Sequence, residues 1–352
     1  IAVGSGTIND IVKRASAENG RPYMCVPTAP SVDGFTAAGA ALTVGGFKTT
    51  LPCDPPVLVV ADSDILRAAP LDMIASGYGV LCAKITAGAD WLIADTLGVE
   101  KINTAIWTQV QEPLRARLSN PQGLGARDRL AIEQVFSGLV EVGYAMEAYK
   151  DSRPASGAEH LISHAWEMDH LCHGGIPVSH GFKVSLGTLI STAIMMELQA
   201  VGKEELEMAL GRPYPRSWHE REIEILPWLE NHPSQAAVCT VARDKLLDLQ
   251  ALERRHAILW DAWDDLKAQI QAQIIPFSDI RRMLESAGCP VEPGEIGLDR
   301  QQFRKGIYIA QMIRRRYTVL DVLYETRLFS DIVEKIMTEK YFTYFSYEGE
   351  ER

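Results

Sequence analysis

The sequence predicts two regions of different class, an α/β unit over residues 1–70 and an all-helical region over residues 71–352. Three observations carry this division. Short apolar runs bounded by glycine and proline fill the first seventy residues, which is the pattern of strands and tight turns. Beyond Pro70, apolar residues recur at helical spacing almost to the end. Neither region contains a fixed-period repeat or a low-complexity linker, so the composition shift near Pro70 is the boundary.

In order, Ile1–Val3 reads as a strand running straight into the turn Gly4-Ser5-Gly6. Ile8 to Ala17 follows as a helix with Ile8, Ile11 and Val12 on its apolar side, ended by Asn19-Gly20. Tyr23–Val26 is a short buried strand stopped by Pro27. Leu42–Val44 and Phe47–Thr50 flank Gly45-Gly46, the arrangement of a hairpin. Pro55-Pro56 then precedes Val57–Ala61, a continuous apolar run of the kind buried in a parallel sheet. From Leu71 onward the helical pattern breaks at Asn120-Pro121, Gly174-Gly175, Arg212-Pro213, Asn231–Pro233 and Pro290–Pro293. Ala251 to Gln273 is a long amphipathic stretch carrying Leu252, Ile258, Leu259, Trp263 and Leu266. A chain opening on a strand tail calls for sheet neighbours ahead of it, so an N-terminal part of the first domain is expected to be missing.

The bulk composition excludes several functions. With 352 residues, 47% apolar and 23% charged, the chain is expected to be globular, and its net charge of −11 argues against a nucleic-acid partner. The longest apolar run, Leu186 to Met196, ends at Glu197, short of a membrane span. Cys25, Cys53, Cys82, Cys172, Cys239 and Cys289 form no CxxC pair and are expected to be reduced, mostly buried thiols of a cytoplasmic protein.

Five of the eight histidines fall between His160 and His180, in SGAEHLISHAWEMDHLCHGGIPVSHGFKVSLGT. His160 and His164 lie four apart in a helix-compatible run and so share one face. His180 follows the Gly174-Gly175 turn and opens another apolar helix, which can swing it back toward the first pair. Imidazoles converging from two neighbouring helices suit a metal or catalytic pocket. His170 and His173 read as exposed or locally satisfied, and Cys172 as a minor candidate for soft-metal ligation. Upstream, Gly4-Ser5-Gly6-Thr7-Ile8-Asn9-Asp10 joins strand to helix and offers free N–H groups to a pyrophosphate, or simply reverses the chain. Pro27-Thr28-Ala29-Pro30-Ser31-Val32-Asp33 leaves the carboxyl end of a strand, where open α/β sheets bind ligands. Ala75-Ser76-Gly77-Tyr78-Gly79 pairs glycines ahead of a helix bearing Lys84, a candidate for an anionic substrate or a solvated charge.

GSGTIND, PTAPSVDGFT, SGYG…AK, SRPASGAEHLISHAWE and SHGFKVSLGT occur in that order, and the succession resembles the glycerol-1-phosphate dehydrogenase family. That family sits in the superfamily of iron-containing alcohol dehydrogenases, glycerol dehydrogenases and dehydroquinate synthases. The resemblance covers roughly residues 1–200. It implies a Rossmann-like nucleotide domain, here truncated, followed by an all-helical metal-binding domain, with the active site between them. It also implies reversible hydride transfer between NAD or NADP and a small phosphorylated polyol, dihydroxyacetone phosphate giving sn-glycerol 1-phosphate, in a homodimer. By the same resemblance, Gly4 and Ser5 shape the turn, while Gly6, Thr7, Ile8, Asn9 and Asp10 lie along the pyrophosphate. Thr28, Ala29, Pro30 and Ser31 line the nicotinamide. Ala37 replaces a serine that contacts cofactor. Asp33 and His164 meet substrate and act in catalysis, with Lys84 and Lys183 as candidates for the phosphate. His160 and His180 hold a divalent metal, with zinc favoured over nickel or iron.

One departure stands out: where the family has Gly-Asp, with the aspartate a third metal ligand, this chain has Gly79-Val80. Valine has no lone pair to offer, and Asp90 lies about 15 Å further along the helix. Weak metal binding and impaired activity are therefore expected. A dehydroquinate-synthase-like enzyme, a glycerol-dehydrogenase-like enzyme and a non-catalytic homologue remain the alternatives.

Overall fold

A computed structural model describes residues 1–44 and 47–347. Strand β1 (Ala2–Gly4) pairs in parallel with β2 (Met24–Pro27), Ala2 opposite Cys25 and Gly4 opposite Pro27. Helix α1 (Gly6–Glu18) makes the crossover between them, as parallel neighbours require, and Gly20 at φ +59° turns the chain after it. A hairpin follows, with β3 (Ala40–Val44) antiparallel to β4 (Phe47–Leu51). Its expected Gly45-Gly46 turn lies outside the described residues. Strand β5 (Leu58–Val59) then closes the far side of β2, giving the sheet order β1-β2-β5.

Two expectations for this region fail. Helix α1 buries Asn9 and Lys13, whereas Ile8 and Ile11 are exposed. The reason is specific: Lys13 Nζ donates to the carbonyls of Gly34, Ala37 and Gly39 at 2.9–3.0 Å, and Asn9 Nδ2 donates to Gly34 O at 3.3 Å. Three carbonyl acceptors satisfy a buried ammonium that would otherwise be costly. The run Val57–Ala61 is likewise not the buried strand it resembles, because Val57, Leu58 and Val60 are exposed. Among the described residues β5 has only β2 as a sheet neighbour.

Helix α2 (Ser63–Ala68) is capped by Asp62, whose carboxylate accepts from the N–H groups of Asp64 and Ile65. Pro70 starts α3 (Leu71–Thr96), buried without interruption from Ile74 to Trp91. A helix without a polar stripe belongs in the centre of a core. Helices α4 (Thr104–Arg117), α5 (Pro121–Gly125), α6 (Arg129–Tyr149), α7 (Ala158–Met168) and α8 (His180–Ala200) pack around it. Gly174 and Gly175, both at positive φ, form the turn of a small hairpin, β6 (Cys172–His173) with β7 (Ile176–Pro177), that reverses the chain from α7 into α8. The sequence predicts only a turn there.

Helix α8 is longer than the run Leu186–Met196 suggests. An 18-residue window of this 21-residue helix reaches a mean hydropathy of 1.2, and 89% of that window is buried inside the chain, as befits a central helix of the core. Beyond it, shorter helices lead to the long helix Leu249–Gln273, which buries Leu252, Leu259, Trp263, Leu266 and Ile270. Ile258, expected on that stripe, faces solvent instead.

Candidate metal and nucleotide site

Glycines on α3 and α8 decide how closely the site's walls approach. A Cβ at Gly77 would lie 1.6 Å from Pro30 O, so α3 presses directly against the loop that follows β2. A Cβ at Gly181 would lie 2.1 Å from Ser76 O, and Ser76 Oγ accepts the Gly181 N–H at 3.1 Å. These contacts bring the loop, α3 and the start of α8 together. Gly77→Ala is therefore expected to displace the Pro30 loop. The stability loss from overpacking should be about 1–3 kcal/mol in urea unfolding; an unchanged unfolding midpoint would show the contact to be unimportant.

The start of α7 is fixed from outside, since Gly157 offers it no side-chain cap. Asp90 Oδ2 accepts the Ala158 N–H and Oδ1 the Val319 N–H, both at 2.6 Å. Burial, then the Glu159 carboxylate, push the Asp90 carboxyl up to about 7. Asp90 thus joins two helix starts and is not a substitute for the aspartate absent at Val80. Val80 itself is fully buried.

On α7, Glu159 accepts from Gly157 N–H at 2.6 Å and from Thr86 Oγ1 at 3.0 Å, and its Oε1 lies 2.8 Å from His160 Nδ1. With Nδ1 engaged by a carboxylate, Nε2 is the His160 nitrogen left to offer. His180, the first residue of α8, is held the same way, with Nδ1 2.7 Å from Glu167 Oε1. Ring centroids of His160 and His180 are 5.6 Å apart, those of His164 and His180 5.9 Å, and those of His160 and His164 6.3 Å. The three imidazoles do converge. Burial, then Lys84, holds the His160 pKa well below its usual value, and burial does the same to His164, so both rings keep a lone pair at neutral pH. His164 Nδ1 is buried with no hydrogen bond among the described residues.

Ligating atoms of His164, Glu167 and His180 all lie within 4.8 Å of one another. Two imidazoles and a carboxylate match a common catalytic zinc set and fit a divalent cation. The sequence pattern alone does not single out Glu167, although its spacing of three from His164 places it on the same helical face. Lys183 Nζ lies 3.5 Å from Glu167 and donates to Val178 O at 2.9 Å. His170, His173 and Cys172 are exposed and are not members of this donor group.

Asp33 and Lys84 form an ion pair at 2.6 Å, with Lys84 fully buried and also donating to Ala155 O at 2.8 Å. Lys84 is thus neither a surface charge nor an uncommitted cation. Burial pushes the Asp33 carboxyl up, but Lys84, followed by His160, brings it below the ordinary range. On the nucleotide side, Ser5 Oγ and Ser31 Oγ are 2.5 Å apart, tying the glycine turn to the proline loop. Thr28 N–H donates to Gly4 O, and Ala29, Pro30, Ser31 and Ala37 are buried in that loop. The N–H groups of Gly6, Thr7 and Ile8 open α1 without helical partners. Asn9 and Asp10 have protein partners: Asn9 Oδ1 accepts from Tyr23 OH at 3.1 Å, and Asp10 lies 3.7 Å from Lys13.

Comparison with known proteins shows the fold and the family. Residues 1–70 match the iron-containing alcohol dehydrogenase family model. A solved probable glycerol dehydrogenase from Sinorhizobium meliloti superposes with a TM-score of 0.54 at 17% identity, covering 95% of this chain and 77% of its own. The fold is that of the iron-containing alcohol dehydrogenase class, a Rossmann-like portion followed by helices. Within that class, glycerol-1-phosphate dehydrogenase [NAD(P)+] from Halalkalibacterium halodurans is 30% identical over 92% of this chain and 71% of its own length. The enzyme of that name from Geobacillus thermodenitrificans is 32% identical over 93% and 72%. The chain belongs to the glycerol-1-phosphate dehydrogenase family.

Proposed function

We propose that the chain is an NAD(P)-dependent sn-glycerol-1-phosphate dehydrogenase, in which residues 1–70 serve the nucleotide and residues 71–352 the metal and substrate. The convergence of His160, His164 and His180 beside the Asp33–Lys84 pair is the observation that carries this reading. When bound, the nicotinamide supplies the hydride and a divalent ion the Lewis acidity that polarises the carbonyl of dihydroxyacetone phosphate. The Gly6 to Ile8 amides and the positive end of α1 receive the pyrophosphate. Thr28 to Ser31 hold the nicotinamide face, and the tie between Ser5 and Ser31 keeps both binding segments in register. His160 and His180, each tied at Nδ1 to a glutamate, match the family's ligand pair and would offer Nε2 to the ion, and His164 would then meet a substrate hydroxyl. Asp33, kept ionised by Lys84, accepts a hydrogen bond from a second hydroxyl; Lys84 acts through Asp33.

The test is NADH and NADPH oxidation with dihydroxyacetone phosphate in the presence of zinc, nickel or iron(II). Formation of sn-glycerol 1-phosphate is expected. Preference for unphosphorylated dihydroxyacetone would favour the glycerol-dehydrogenase reading, and inactivity with all three metals would overturn the proposal. Val80→Asp restores the family's carboxylate. It is expected to tighten metal binding about tenfold or more and to raise turnover; equal affinity in the two proteins would refute a deficit at Val80. A homodimer is expected from the family and is read by light scattering.

A further inference from the structure

We propose that Glu167 supplies the carboxylate that Val80 lacks, so that the ion in this chain is held by His164, Glu167 and His180. This rests on the reading of the site as a metal centre, and it changes which residues hold the ion. Relative to the family's pair, the centre moves one turn along α7, from His160 to His164, and His160 faces substrate.

Three observations support the shift. The ligating atoms of these three residues already lie within 4.8 Å of one another. Donors on one tetrahedral zinc are about 3.4 Å apart, so closing the set takes rotations of the Glu167 side chain and the two rings that exchange the Glu167–His180 hydrogen bond for a shared ion. His164 brings a buried Nδ1 with no hydrogen bond among the described residues, a cost that a ligated cation removes. At the level of His160, by contrast, the neighbouring carboxylate is Glu159, whose oxygens are taken by Gly157 N–H, Thr86 and His160 Nδ1, so α7 brings no further carboxylate there to act as a third donor. Val80, on α3, leaves that position without the family's anionic donor. Charge points the same way, because one carboxylate offsets part of a divalent cation's charge and two neutral imidazoles offset none.

Titration of the metal-stripped full chain with zinc or nickel alone tests this. His164→Ala and Glu167→Gln are each expected to weaken binding about 100-fold or more, while His160→Ala changes it less than about fivefold. Anomalous diffraction from a nickel-soaked crystal should place the ion on His164, Glu167 and His180. Circular dichroism of each variant without metal shows that the fold is retained. Wild-type affinity in Glu167→Gln, or a loss in His160→Ala as large as that in His164→Ala, overturns the proposal. These readouts are independent of turnover. A chain that binds metal through Glu167 yet reduces no dihydroxyacetone phosphate would sink the dehydrogenase reading and leave this one standing.

Discussion

His180→Ala is expected to lower kcat/KM for dihydroxyacetone phosphate reduction by about 1000-fold or more, because losing the metal removes several kcal/mol of charge stabilisation. His180 is the decisive position because it belongs to both ligand sets, the family pair with His160 and the group with His164 and Glu167. Its contribution to folding is small. The side chain is 28% exposed and, among the described residues, is hydrogen-bonded to Glu167, so the stability loss is about 1 kcal/mol. Activity and stability should therefore separate. The control is His173→Ala, an exposed imidazole seven residues earlier that leaves both unchanged. Full activity in metal-supplemented His180→Ala would remove imidazole ligation from α8 altogether.

The convergence of His160, His164 and His180 was legible in the sequence because helical spacing and a glycine turn are local properties. So were the crossover helix after β1, the helix start at Leu71 and the exposure of His170 and His173. What stayed hidden was set by tertiary contact. The inward face of α1 could not be read from its isoleucines, since carbonyls from residues 34–39 recruit Lys13 and Asn9 to the buried side. Lys84 reads equally well as a substrate ligand or a surface charge; only the fold shows Asp33 beside it, 51 residues away in sequence. Asp90 can be placed from sequence only by its distance along the helix, and its partners at Ala158 and Val319 are remote in the chain. Glu167 was hidden for a different reason. The aspartate missing at Val80 points to α3, whereas the carboxylate proposed to replace it lies one turn beyond His164 on α7.

Lys84→Met should destabilise the protein by about 3 kcal/mol, because removing one partner of a buried pair strands the other charge. The low end of the range for such pairs applies, since the Asp33 side chain retains 15% exposure. Lys84→Met also leaves Ala155 O without its ammonium donor. The pH dependence distinguishes charge from packing. In the native chain the Asp33 pKa is lowered, so its contribution is present above the unfolded pKa of about 3.9 and is lost as pH falls through the lower folded value. In Lys84→Met burial acts with less opposition and raises that carboxyl, which reverses the sign of its contribution at neutral pH. Urea unfolding should then show the widest gap between native chain and variant near pH 7, narrowing as pH falls toward 4. A gap independent of pH would assign the loss to packing alone. Adding Asp33→Asn to Lys84→Met removes the stranded charge, so the double variant should be more stable than Lys84→Met at pH 7; a double variant that is less stable would show that Asp33 contributes without its lysine.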